Sequence, residues 1–457
     1  MELALRFNGE IINGDAMQMY QGLPIVTNQI TLEERKGVPH HLLGCVGLED
    51  ETWRVGVYRK RALGIIEEIK ARGRIPILVG GTHYYTQALL FNNIFIGDHT
   101  DVDDVEGSRP SEAWKKWPIL ESSTENILAA LREVDPLMAE RWHPNDRRKI
   151  RRSLEIWLQH RRKASDLYRD QKALKLNGTT PVVGCSQSID PEMVESEDIE
   201  FEANPQARFQ TLVLWTHASP DVLKARLDKR VDDMLRNGLL SEVSSMKQFL
   251  REQVMKGQLI DKTSGIWVSI GYKEFEQYMI ALHPGETDDK VLDALKQEAV
   301  EQVKTATRQY SKRQVRWIRI KLLHAVINAG MSENMFLLDG SDLPRWSEEV
   351  ERPAIHLSEL FLDGEALPEP KTVSEAAQLL LTPRRDFDLS NRSDLWVKKT
   401  CDICATTVVT EDEWSRHLKS RRHRRLIKSH DRKLARNLDV DTPHTGSFRD
   451  QDPHSSG

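Results

Sequence analysis

Cysteine is scarce in this chain: four in 457 residues, Cys45, Cys185, Cys401 and Cys404. So few cannot staple so long a chain, which excludes a disulfide scaffold and points to a reducing compartment. Long apolar runs are also lacking. None approaches the ~20 residues of a membrane-spanning helix, so a soluble protein with no membrane partner is expected. Met1-Glu2-Leu3-Ala4-Leu5-Arg6-Phe7 reads as the interior of a helix and not as a secretory signal. There is no internal repeat. Strong net charge is missing as well: −5 overall, which alone suggests no nucleic acid. The distribution does suggest it. Trp414 to Arg436 holds ten Lys/Arg and one acidic residue, and Thr307 to Lys321 holds six and none.

What is present starts with Glu10-Ile11-Ile12-Asn13-Gly14-Asp15-Ala16-Met17-Gln18-Met19-Tyr20. A short apolar pair runs into a glycine, and an aspartate stands where a strand would end. Open α/β sheets bind ligands just beyond the carboxyl ends of their strands. Asp15 is thus placed for a catalytic carboxylate, although a strand-end Asp more often serves as a turn or cap. A second strand, Ile75-Pro76-Ile77-Leu78-Val79, runs into Gly80-Gly81-Thr82-His83-Tyr84-Tyr85. The two strand ends can bring Asp15 and Thr82 to one crevice. A helix over about Val55 to Arg72, stopped by Gly73, lies between them and gives the βαβ rhythm of a parallel sheet. The next strand is Thr211 to Trp215, followed by a helix opened by Ser219-Pro220.

The organisation expected is an α/β core in two parts, 1–92 and 206–330, around an inserted helical domain at 93–205. That insertion holds an acidic loop (Asp98 to Glu106), helices near Glu125–Glu140 and Asp146–Gln159, and a self-repelling disordered tract at 176–204. Residues 331–395 read as a linker, 396–428 as a finger and 429–457 as a disordered tail. In Asp146–Gln159 the apolar set Ile150, Leu154, Trp157 and Leu158 leaves Arg147, Arg148, Arg151 and Arg152 turned away. Such a face is either simply solvated or phosphate-binding. Arg308, Lys312, Arg313, Arg316 and Arg319 repeat the pattern beside a core stripe of Val303, Tyr310 and Trp317.

Cys401-x2-Cys404-x12-His417-x5-His423 has the ligand types and spacing of tetrahedral Zn²⁺. A redox Cys-x-x-Cys is the competing reading, but nothing βαβ-like surrounds the pair. Four protein ligands leave no open position, so the zinc would be structural. The basic run Ser420 to Arg425 suggests binding to an RNA backbone more than to a base sequence.

The segments GDAMQMY, LPIVTN (23–28), PHH (39–41), PILVGGTHYY (76–85), HPNDRRKIRRSLEIW (143–157), RLDKRVDDML (226–235), SIGYKEF (269–275) and TRQYSKRQVRWIR (307–319) together resemble the tRNA dimethylallyltransferase (tRNA isopentenyltransferase) family. The finger is similar to that of its eukaryotic branch. The resemblance implies a P-loop-NTPase-like α/β sheet and transfer of a dimethylallyl group from dimethylallyl diphosphate, with Mg²⁺. The acceptor would be the exocyclic amine of the adenosine 3′ to the tRNA anticodon. It implies Asp15 as base, Thr82 as a tRNA contact and Arg230 as the arginine on the diphosphate. Ala16 stands where the family usually has serine. Ala16, Met17, Gln18, Arg148, Lys149, Arg151, Arg152, Ser269, Gly271, Tyr272, Lys273, Lys312, Arg313, Gln314, Arg316 and Arg319 match its tRNA-contacting regions. The bland reading of Arg230 is a surface arginine paired with Asp228 or Asp233. Thr82 also fits a helix N-cap. Asp232 and Asp233 face different ways on a helix and make poor metal ligands.

The family's Gly-x4-Gly-Lys-Ser/Thr phosphate loop does not occur in the sequence. Met1 to Phe7 matches the helix that follows that loop, so the first strand and loop are expected to be missing together. An incomplete gene model is the favoured explanation, with two sheet edges left exposed and little transfer by the chain as written. The alternative function is a non-catalytic RNA-binding protein of the same fold; a nucleotide kinase is more distant. A monomer is expected, in the cytosol first, with mitochondria and nucleus as the other compartments of relatives.

Overall fold

The structure is a computed structural model that describes residues 1–50, 52–92, 117–167, 206–258, 260–262, 264–282, 288–383, 398–408 and 411–429. The acidic loop at 98–106, the tract at 176–204 and the tail beyond 429 lie outside them. The chain forms two compact units, Met1–His99 with Glu200–Arg385, and Thr100–Ile199 with Asp386–Gly457.

In the first unit, helix α1 (Glu2–Arg6) leads into strand β1 (Gly9–Asn13). All five β1 residues are buried, as in a strand covered on both faces. Strands β2 (His40–His41) and β3 (Ile75–Val79) flank it, both parallel, with Ile11 opposite His40 on one side and Ile77 on the other. Helix α2 (Val55–Ala71) is the crossover and buries Tyr58, Ala62, Ile66 and Ile69 along one face. Gly73, at φ +68°, supplies the left-handed residue that ends it. Helix α3 (His83–Leu90) follows β3.

The second unit contains α4 (Thr124–Val134), α5 (Pro136–Arg141) and α6 (Arg147–His160). One helix near 125–140 was expected; two are present. Buried Asp135 breaks the run, its Oδ1 accepting from Met138 N (3.3 Å) and its Oδ2 from Ser165 N (2.9 Å), with Pro136 opening the new helix.

The first unit resumes with β4 (Val213–His217), α7 (Pro220–Arg236), α8 (Leu239–Met255), α9 (Glu276–Ala281), α10 (Asp289–Trp317) and α11 (Leu323–Asn328). Then come β5 (Met335–Asp339), α12 (Arg352–Asp363) and α13 (Glu375–Leu380). The linker expected at 331–395 is corrected here. Met335, Phe336, Leu337 and Leu338 are all buried, and β5 pairs in parallel with β4 over its whole length. Leu337 packs with Ala377 and Leu381 on one face, and Phe336 and Leu338 pack with Val350 and Leu357 on the other. A strand covered on both faces shows no alternation, so a periodicity search passes over it.

The stripe of Val303, Tyr310 and Trp317 also needs correction. α10 buries Ala299, Val303 and Thr307, whereas Tyr310 is 39% exposed. A straight helix drifts away from a strict seven-residue repeat. The parallel strands of this unit form two separate sheets, β2-β1-β3 and β4-β5, and Phe91–Asn92 pairs antiparallel with Gln206–Ala207. Among the described residues β3 and β4 each have one hydrogen-bonded neighbour, and Val79 on β3 is 53% exposed.

Candidate active site and metal centre

β1 and β3 end side by side. Gly14 N donates to Val79 O (2.8 Å) and Thr82 N donates to Gly14 O (3.1 Å). Gly14 and Gly80 touch through their backbones, since a Cβ on Gly80 would lie 2.1 Å from Gly14 C. The chain then turns. Asn13 Oδ1 accepts from Asp15 N (2.9 Å), and Asn13 Nδ2 donates to Asp15 O and Leu42 O (both 2.9 Å). Asp15 Oδ1 accepts from Met17 N (2.9 Å), so the residue does cap the turn that follows it. Its Oδ2 is turned the other way, 3.6 Å from where a Cβ on Gly81 would stand. Thr82 occupies the N-cap position of α3 but does not cap that helix; its Oγ1 accepts from Ala16 N (3.0 Å). The hydroxyl proton is left to point elsewhere. The strand-end reading therefore brings Asp15 and Thr82 together.

Burial pushes Asp15 above the usual carboxylate range, against the pull of the Met17 and Gln18 amides and of the Arg230 charge. Arg230 remains solvent-exposed on α7, yet the protein around its guanidinium pushes its pKa down while Asp15 holds it up. The two groups thus feel each other's charge. The pairing of Arg230 with Asp228 or Asp233 is not what the structure shows. Asp228 pairs with Arg308 (3.3 Å), Asp232 with Lys304 (2.7 Å) and Asp233 with Arg236. Arg226, one turn before Arg230, is also spent, donating to Gly340 O and Ser341 O (both 2.7 Å). Arg230 has no such partner among the described residues.

Next to Asp15 in the chain, Ala16 and Met17 open onto a small apolar recess of about 20 Å³, lined also by Tyr20, Trp53, Tyr85 and Gly265 among others. The polar tips of its tyrosines are consumed at the rim: Tyr85 OH donates to Trp53 O (3.2 Å) and Tyr20 OH bonds Thr52 Oγ1 (3.2 Å). Burial moves Tyr85 up to about 12, so its hydroxyl stays protonated. Tyr58 stacks on Tyr85 at 4.0 Å and donates to Asn13 O (2.9 Å), which buttresses the turn from below. Sequence reasoning passed over these aromatics, although Tyr85 sits three residues after Thr82.

In the second unit the four finger residues converge. Their ligand atoms all lie within 4.8 Å of one another. The strands β6 (Lys399–Thr400) and β7 (Thr407–Val408) form an antiparallel hairpin, and α14 (Glu411–Leu418) follows. Zn–S bonds of ~2.3 Å in a tetrahedron set two sulfurs about 3.8 Å apart; Cys401 Sγ and Cys404 Sγ are 3.7 Å apart. His423 Nδ1 lies 3.6 and 3.1 Å from the two sulfurs, and His417 Nε2 is buried with no hydrogen-bond partner. That orphaned nitrogen and those spacings fit a tetrahedral metal. The finger is seated on the helices of its own unit. His143 Nδ1 accepts from Asn145 N (3.1 Å), so its Nε2 carries the proton given to Thr407 O (3.1 Å).

Comparison with known proteins settles the kinship. Residues 18–321 match the family model of IPP transferase. The tRNA dimethylallyltransferase of Saccharomyces cerevisiae is 31% identical over 94% of this chain and 89% of its own length. That of Homo sapiens is 30% identical over 97% of this chain and 85% of its own. This chain belongs to the IPP transferase family. A solved eukaryotic dimethylallyltransferase acting on tRNA superposes with a TM-score of 0.68, at 31% identity, over 96% of this chain and 95% of that one.

The residues that the family resemblance marks for tRNA fare unevenly. Arg148 on α6 is exposed and has no ion pair among the described residues. Lys149 turns inward, 3.7 Å from Asp146 and over the Trp142 ring at 4.9 Å. Arg151 and Arg152 are held by Glu121 (2.9 Å) and Glu155 (3.1 Å). Arg147 does not face away from the protein: it donates to Ser122 O and Leu120 O and staples the start of α6 to the segment that leads into α4. In the first unit, Ser269 is buried with its Oγ unpartnered, and Gly271 adopts φ +101°. Tyr272 packs edge-on against Trp267 at 5.6 Å, and Lys273 is exposed. On α10, Lys312, Arg313 and Arg316 are exposed, Gln314 Oε1 is buried and unpartnered, and Arg319 lies half-buried just past the helix. Arg308 is taken by Asp228.

Proposed function

We propose that this chain transfers a dimethylallyl group from its diphosphate to the exocyclic amine of the adenosine 3′ to the tRNA anticodon. One observation carries the reading. Among the described residues, Asp228, Asp232 and Asp233 beside Arg230 on α7 each pair with another base, and Arg230, with no such pair there, feels the charge of Asp15. A buried carboxylate and an arginine that feels its charge suit a reaction that needs a proton acceptor and a receiver of departing anionic charge.

In this reading the target base leaves its stack and its amine meets Asp15 Oδ2, while Thr82 Oγ1 positions the ring. The C–O bond to the diphosphate breaks as the amine nitrogen bonds to the allylic carbon. The amine proton goes to Asp15, and the diphosphate leaves with its electron pair toward Arg230. Burial raises the carboxylate's proton affinity, which favours that transfer. Among the described residues the finger is the one cluster of three or more metal-type side chains. Mg²⁺, brought in with the diphosphate, would neutralise part of the charge on the leaving group.

Cys401, Cys404, His417 and His423 would hold Zn²⁺, which would organise the finger. Arg148, Lys312 and Arg316 are exposed cations available to phosphates, and Lys273 would have to leave Glu274, 3.8 Å away. The pairs at Arg151 and Arg152 are exposed enough to be exchanged for RNA at little cost. Arg230 is the residue offered to the diphosphate in this reading. Incubating the full chain with tRNA and dimethylallyl diphosphate, and titrating each ligand separately, tests the reading. Modified adenosine with measurable diphosphate binding supports it. Tight tRNA binding with neither would replace it by RNA binding alone.

A further inference from the structure

Residues 23–28 form a tight helical turn, with Thr27 N donating to Leu23 O (3.3 Å) and Asn28 N to Ile25 O (3.0 Å). The first amides of such a turn have no partner of their own. Here Ile25 N and Val26 N donate to the two oxygens of Glu242, at 2.9 and 2.7 Å, from the first turn of α8. Glu242 is therefore an N-cap delivered from another helix. At the far end of the turn, Gln29 Nε2 donates to Gln18 O (3.0 Å) and Tyr20 O (2.8 Å), and Gln18 Nε2 donates to Asn28 O (3.2 Å). The contact around Ile25 and Val26 is close: a Cβ on Gly238 or Gly271 would lie 3.5 Å from Ile25 Cδ1 or 3.2 Å from Val26 Cγ2.

We infer that Glu242 is a positioning residue: through the 23–29 turn and Gln29 it fixes the Gln18 and Tyr20 carbonyls, and so the segment that begins at Asp15. It touches neither substrate nor the reacting atoms. Asp15 caps Met17 itself, so the amide side of that segment is held locally. On the carbonyl side Gly44 N shares Gln18 O (3.0 Å) and Cys45 N and Val46 N take Met19 O (2.7 and 2.9 Å), while Gln29 adds its bonds to Gln18 O and Tyr20 O; Glu242 anchors the turn that carries Gln29. The inference rests on Asp15 being the residue that meets the base, because only then does the placement of this segment matter to the reaction.

Glu242→Ala, Glu242→Gln and Gln29→Ala in the full chain test it, with two readouts. Hydrogen exchange over residues 15–21 should quicken in Glu242→Ala and in Gln29→Ala. Glu242→Gln, which keeps one acceptor, should change less and serves if the alanine variant folds poorly. In transfer assays kcat should fall about 10- to 100-fold, as for displacements of about an ångström, while the Kd for tRNA changes less than about 3-fold. The double variant Glu242→Ala/Gln29→Ala should be no worse than the worse single one, because both act through one route. Unchanged exchange over 15–21 in Glu242→Ala, or losses in kcat that multiply in the double variant, would overturn the inference. If the unaltered chain transfers nothing, the proposed function fails, and the exchange measurement still decides the strut.

Discussion

Arg226 and Arg230 are one turn apart on α7 and look interchangeable in sequence, yet the structure gives them opposite work. Arg226 makes two 2.7 Å bonds to the Gly340 and Ser341 carbonyls beyond the end of β5. A hydrogen bond to a charged group contributes ~1.5–3 kcal/mol when buried; Arg226 is half-buried, so Arg226→Gln should cost about 2 kcal/mol for the pair. That lowers Tm by roughly 4–8 °C in a unit of this size. Among the described residues Arg230 makes no hydrogen bond or ion pair to lose, and the protein around its guanidinium already disfavours its charge. Arg230→Gln should therefore leave Tm unchanged or slightly raised. Its cost appears only with ligand: one charge-assisted bond to diphosphate, again ~1.5–3 kcal/mol, is a roughly 10- to 150-fold rise in Kd for dimethylallyl diphosphate. Calorimetric titration with dimethylallyl diphosphate and with tRNA, beside thermal melts of both variants, reads the crossing. If Arg230→Gln destabilises the fold like Arg226→Gln, or binds diphosphate as tightly as the unaltered chain, the assignment of Arg230 is wrong.

Three further outcomes follow from particular contacts. Arg72 and His41 hold buried Glu10 down at about 2 from its ordinary 4.5, against the opposing effect of burial. A carboxylate lowered on folding contributes stability that is whole above pH ~4.5 and lost as pH falls through ~2. Glu10→Gln should thus melt lower at pH 7, by about 2 kcal/mol because Arg72 and Arg74 are partly exposed, and should match the unaltered chain near pH 2. Cys404→Ser or a strong chelator should unfold the finger, seen as lost helical signal and weaker tRNA binding, with diphosphate binding unchanged. Gly80→Ala has no space against Gly14, so it should abolish transfer and lower Tm, whereas Gly73→Ala, with nothing near its Cβ, should cost only about 1 kcal/mol for its positive φ.

Much of the first unit could be read from the chain because its signals are local. The Ile11-Ile12 and Ile75–Val79 runs, each ending in glycine, gave the strands and set Asp15 and Thr82 at one edge. The finger was legible from spacing alone. β5 was not, because a strand buried on both faces lacks alternation and sits among acidic and proline-rich neighbours. The partners of α7 were not legible either. Which of Asp228, Asp232 and Asp233 answers which base depends on Lys304 and Arg308, some 70 to 80 residues away on α10. Arg147, Arg148, Lys149, Arg151 and Arg152 look alike as text. Only the fold separates Arg147, committed to backbone carbonyls, from exposed Arg148. Glu242 carried no signal at all, since its two partners lie more than 200 residues upstream.

The central claim is that the carboxylate of Asp15 receives the adenine's proton while the fold around it stands without that charge. Asp15→Asn keeps an oxygen for Met17 N and removes the base. Nucleoside mass spectrometry of tRNA incubated with dimethylallyl diphosphate measures this directly. The account predicts dimethylallyl-adenosine from the unaltered chain, a loss of ~10²- to 10⁴-fold in rate for Asp15→Asn, equal tRNA affinity, and a Tm no lower than before. Comparable product from Asp15→Asn, with its fold intact, would contradict it.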